Sequence, residues 1–97
     1  MKILSINTGS SSLKFQLFEM PNKDVLISGT FERINEEGSF YTIQIADQKQ
    51  LVEVKLTNHN QAFEFLVEEL LKNKVVNDLN EIKGIGHRVV QGGDYFN

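Results

Sequence analysis

Asn7, Gly9, Ser10, Ser11, Ser12 and Lys14 are crowded into one short stretch, INTGSSSLK, close to the first residue of the chain. These residue types suit an anion. A glycine lets the backbone approach a ligand closely, and successive backbone N–H groups and serine hydroxyls donate to phosphate oxygens. A lysine adds a point charge. In an extended chain Ser10, Ser12 and Lys14 share one face, so two hydroxyls and an ammonium project together. A second stretch, GIGHRVVQGG, sets His87 and Arg88 in an otherwise apolar run that ends at Gly92 and Gly93. An arginine in such a run needs an anionic partner, and its planar fork matches a carboxylate or a phosphate. The strand end before a glycine bend is where open α/β sheets bind ligands.

Each stretch also has a plain structural account. Taken alone, the first is more simply a serine-rich hairpin turn with a surface lysine. Taken alone, the second is more simply an arginine paired to a local acid such as Asp94. The first is not a Walker loop, which needs a second glycine directly before the lysine and a helix after it. With two histidines and no cysteine, a transition-metal site is not expected. His59 is expected to face solvent at a helix start, and the helix glutamates to be solvated.

The elements that must position these residues follow from hydrophobic period. Lys2 to Thr8 reads as a buried strand. Ser12 to Met20 alternates through Leu13, Phe15 and Leu17, so Gly9 to Ser11 becomes a hairpin loop. Val25 to Arg33, Phe40 to Ala46 and the run Val52, Val54 and Leu56 are further strand candidates. The turn signals PNKD and DQKQ separate them. The period then changes. Phe63, Leu66, Val67, Leu70 and Leu71 recur at helical spacing, with Asn58 or Asn60 as the cap and Lys72 and Lys74 at the end. Ile82 to Val90 is a last strand, parallel to the first because a helix intervenes. The expected fold is α/β: a mixed sheet of five to six strands with one covering helix.

The chain has 97 residues, 40% apolar and 24% charged, with a net charge of -3. That suits one small domain. The balance is not that of a nucleic-acid or anionic-membrane binder. The apolar run before Asn7 is too short for a signal-peptide core or a membrane span, so a cytoplasmic protein is expected. The absence of cysteine fits a reducing compartment. The Gly-Gly turn close to Asn97 suggests a fragment.

Taken together and in order, ILSINTGSSSLKFQLFEM and GIGHRVVQGGDYF closely resemble the acetate kinase family, over essentially the whole chain. Gln91 departs from the pattern, which usually carries a histidine there. The resemblance implies an actin-like, ribonuclease H-like ATPase fold, shared with sugar kinases, Hsp70 and actin. It implies that residues 1–97 are the N-terminal part of the first actin-like domain of a longer two-domain kinase, a cytoplasmic homodimer. The implied reaction is reversible phosphoryl transfer from ATP to acetate, giving ADP and acetyl phosphate, with Mg2+. By motif position Asn7 resembles the residue near the metal, Ser10, Ser12 and Lys14 the ATP/phosphate-binding set, and Arg88 the substrate-gripping arginine. The family's catalytic residues match no position of this chain, so these 97 residues alone are expected to be inactive. Propionate kinase and a non-catalytic, stand-alone actin-like binding domain are the alternatives.

Overall fold

The computed structural model describes the backbone of residues 1–91 and 94–96 and the side chains of residues 1–86. Its strands are β1 (Lys2–Thr8), β2 (Ser12–Glu19), β3 (Asp24–Glu32), β4 (Phe40–Ile45) and β5 (Gln48–Glu53), followed by helix α1 (His59–Lys72). A short 3-10 turn (Leu79–Glu81) leads into β6 (Ile82–Gln91), and β7 (Asp94–Phe96) follows. All seven strands join one sheet in the order β5-β4-β3-β2-β1-β6-β7. Chain-adjacent strands pair antiparallel, and β6 pairs parallel to β1 after the excursion through α1. The six strands and the covering helix expected from hydrophobic period are present, with the three-residue β7 added.

Alternation puts the core on one face of the sheet. Leu4 and Ile6 of β1, Leu13, Phe15 and Leu17 of β2, Ile27 and Phe31 of β3, and Tyr41 and Ile43 of β4 are all buried. They line up in register: Ile6 opposite Phe15, Leu13 opposite Phe31, Phe31 opposite Tyr41. Helix α1 closes that face with Ala62, Leu66 and Leu70. Asn58 caps it, its Oδ1 accepting from Gln61 N–H at 2.9 Å.

Two local expectations are corrected. The apolar face of α1 is rotated from the one that spacing suggested. Phe63 and Leu71 are 39% and 40% exposed, while Ala62 and the glutamate Glu69 are buried. Glu69 is tolerated there because Tyr41 Oη donates to its Oε2 at 2.6 Å and Asn73 Nδ2 to its Oε1 at 2.9 Å. Strand β5 also begins earlier than the Val52–Leu56 run, because Ala46, at φ 54°, turns the chain at once after β4. Val54 and Leu56 are then held beyond the strand by Ser39, whose hydroxyl donates to Val54 O at 2.6 Å and accepts from Leu56 N–H at 2.9 Å. No helix among the described residues is long and apolar enough to cross a membrane.

Candidate functional site

Strand pairing brings the two sequence stretches together. Asn7 on β1 lies in register with Lys14 on β2 and, across its other edge, with Arg88 on β6. Adjacent strands lie about 4.8 Å apart, so the backbones of Lys14 and Arg88 flank that of Asn7 at about 10 Å from each other. The side chains of Arg88 and Gln91, and Gly92 and Gly93, lie outside the described residues.

The loop between β1 and β2 sits beside this row. Ser12 and Lys14 are both on β2 and share a face, as expected. Ser10 does not join them in a strand, because β2 starts only at Ser12. It stands at the exposed loop instead, two residues before the half-buried Ser12. The reason is Gly9, whose N–H donates to Ser12 O at 3.0 Å and closes the turn before extended structure resumes. A Cβ on Gly9 would stand 2.8 Å from Ser12 Oγ, so the glycine keeps that hydroxyl in place.

Three of the loop's carbonyls, those of Gly9, Ser11 and Ser12, are occupied by the protein. Gly9 O meets His59 Nε2 at 2.8 Å, Ser12 O meets the same nitrogen at 3.2 Å, and Ser11 O accepts from Ile34 N–H at 3.0 Å. Both partners of His59 Nε2 are acceptors, so that nitrogen carries the hydrogen. By contrast, the N–H groups of Ser10 and Ser11 have no hydrogen-bond partner among the described residues. A loop with most of its carbonyls engaged and two successive N–H groups unengaged is chemically suited to an anion. Lys14 is exposed and makes no ion pair among the described residues.

His59 was missed in the sequence. It is half-buried against the loop, not solvent-facing. Its place at the first turn of α1 looks like any surface position, and its partners are backbone atoms about 50 residues away, which spacing does not reveal.

One cavity lies at the loop end of the sheet and another on its outer face beside Lys14. The larger, 620 Å³, lies between the β3–β4 connection and the segment leading from β5 to α1. Its lining holds Glu36, Glu37 and Glu53 against the single cation Lys55, a balance that disfavours phosphate. The smaller, 210 Å³, carries Lys14 and Lys49 with Ser28, Thr30 and Thr42 and no acid. Chemistry and size point to different places here, and charge decides for the lysine side. Among the described residues no group of three or more His, Cys, Asp or Glu could hold a metal on its own.

The profile described as Acetokinase family matches residues 2–97. The chain is 50% identical over 96 residues to the acetate kinase of Onion yellows phytoplasma, covering 99% of this chain and 23% of that protein. It is 48% identical over 95 residues to the acetate kinase of Macrococcus caseolyticus, covering 98% and 24%. Among solved structures, the acetate kinase of Porphyromonas gingivalis superposes with a TM-score of 0.85 at 38% identity, covering 95% of this chain and 24% of that one. A propionate kinase from Francisella tularensis superposes at 0.79 with 34% identity, covering 94% and 23%. The chain thus spans about a quarter of the length of the relatives it matches.

Proposed function

Since this chain belongs to the acetokinase family, we propose that it supplies the phosphate-binding hairpin of a kinase that transfers a phosphoryl group between ATP and a small carboxylate. Its sheet is that of the actin-like ATPase fold of its structural neighbours. Residues 1–97 form the first part of the first domain of a longer, two-domain, homodimeric cytoplasmic enzyme. The observation that carries the reading is the loop's polarity: acceptors of Gly9, Ser11 and Ser12 engaged, donors of Ser10 and Ser11 unengaged, beside the Asn7–Lys14 pair.

Joining two anions demands positioning and charge neutralisation. The Ser10 and Ser11 amides and the Ser10 and Ser12 hydroxyls cradle a phosphate of ATP, and Lys14 neutralises it. Arg88, one strand over from Asn7, holds the carboxylate by its planar fork. The donor set fits Mg2+ only as an ion that arrives on the nucleotide: Asn7 offers one neutral oxygen, and Mg2+ keeps most of its shell as water and phosphate. Asn7 would hold that ion through its side-chain oxygen. When bound, Mg2+ neutralises phosphate charge. Acetate is the acceptor favoured by most of the similarity, with propionate the next, and the two differ by one methylene.

An acyl phosphate assay with MgATP and acetate, run on this chain and on the product of the complete coding sequence, tests the proposal. Activity is expected only in the complete product. Silence of that product with both acetate and propionate would sink it.

A further inference from the structure

His59 has no part in the carboxylate or metal roles, yet its side chain hydrogen-bonds the loop. One ring nitrogen lies 2.8 Å from Gly9 O and 3.2 Å from Ser12 O, the carbonyls on either side of Ser10 and Ser11. Gly9 N–H also donates to Ser12 O, so a single acceptor is shared by the turn's own bond and the imidazole. His59 itself is the first residue of α1, and the Asn58 cap sets the start of that helix through its bond to Gln61 N–H. The helix is in turn fixed to the sheet by the buried Tyr41–Glu69 bond.

We infer that His59 is a positioning residue that pins the Gly9–Ser12 loop in its anion-receiving form, by clamping the Gly9 and Ser12 carbonyls from one Nε2–H donor. The clamp pulls both carbonyls toward α1 and thereby leaves the two intervening N–H groups unengaged by the protein. It couples the seating of α1 to the shape of the cradle. The clamp's role in ligand binding rests on the proposed function; its existence as a loop anchor does not.

The test uses NMR on this chain, with wild type, His59→Phe (similar bulk, no donor) and His59→Gln (an amide N–H donor of comparable reach). In the wild type, the ring 15N shifts at neutral pH should report a hydrogen on Nε2. Amide exchange at Gly9 and Ile34, the two N–H groups that close the loop, should quicken about tenfold in His59→Phe, as one lost hydrogen bond implies, and return to within about threefold in His59→Gln. Amides of β1 and β2 should stay protected in both. Inorganic phosphate should shift the Ser10 and Ser11 amides of the wild type and bind about tenfold more weakly to His59→Phe. Unchanged Gly9 and Ile34 exchange in His59→Phe, a hydrogen on Nδ1, or equal loss in Phe and Gln variants would overturn the clamp. An absent phosphate shift in the wild type with the exchange pattern intact would overturn the phosphate reading and leave the clamp standing.

Discussion

Tyr41 and Glu69 meet across the sheet–helix interface, the tyrosine hydroxyl donating to the carboxylate at 2.6 Å inside the core. Each is 5% exposed or less. The bond seats α1 on β4, and Tyr41 also lies against Phe31, with ring centroids 4.7 Å apart. Tyr41→Phe keeps the ring and removes a donor from a buried carboxylate, which should destabilise the fold by about 1–3 kcal/mol in denaturant titrations. Burial, and then donation to Glu69, raise the Tyr41 pKa well above its ordinary 10.0. Its contribution is therefore complete below pH 10.0 and is lost above it, as the unfolded chain ionises and the folded one does not. The wild type should weaken above pH 10.0 more steeply than the Phe variant, and parallel curves would refute this.

At Gly29 of β3 the space a side chain would take on the core face is filled by the Phe15 ring. A Cβ there would lie 2.5 Å from Phe15 Cε1 and 2.6 Å from Thr42 O. Phe15 is fully buried and Thr42 O is backbone, so neither yields easily. Gly29→Ala should cost about 1–3 kcal/mol or more by overpacking. A midpoint of urea unfolding equal to the wild type's would show that the strand simply shifts aside.

Gly9→Ala should behave differently, because its nearest obstacle is the Ser12 hydroxyl at 2.8 Å. That group rotates away at little cost in stability. Unfolding should change by less than about 1 kcal/mol, the range of a lost exposed hydrogen bond, while phosphate binding weakens. Isothermal titration with inorganic phosphate separates the two, and unaltered affinity would remove Ser12 Oγ from the site.

Lys2 ties the strand that carries Asn7 to the turn before β6. Its Nζ donates to Glu81 Oε1 at 2.7 Å and to Val75 O at 2.9 Å. Glu81 also accepts from the N–H groups of Asn77 and Asp78 at 2.7 and 3.1 Å. The Lys2 bond first, then the Asn77 N–H, hold the Glu81 pKa below its usual 4.5. A lowered carboxyl pKa contributes stability above the unfolded value of 4.5 and loses it as pH falls through the folded value. Glu81→Gln should be less stable than wild type at neutral pH, and the gap should close on acidification below pH 4.5. A gap independent of pH would contradict the assignment.

Much of this was legible in the sequence because it is written in period. The alternation of Leu13, Phe15 and Leu17 gives β2 its inner face, and the change of period after Asn58 gives α1. Ser12 and Lys14 share one face of β2, as the alternation of that run implies. What was not legible depends on partners distant in sequence. Glu69 looks like a solvated helix residue until Tyr41 is set beneath it. His59 looks like a surface residue until the loop's carbonyls are brought to it. The shift of β5 toward Gln48 follows from one positive φ at Ala46, a residue that announces no turn.

The anchors of the Gly9–Ser12 loop are also ordered along the chain. The loop is synthesised before the residues that anchor it. Its partner Ile34 follows, and His59 comes 50 residues after Gly9. During translation the motif therefore leaves the ribosome as an unshaped turn and gains its form only when α1 emerges and docks. Phosphate affinity of the loop would then appear only once α1 has docked against it.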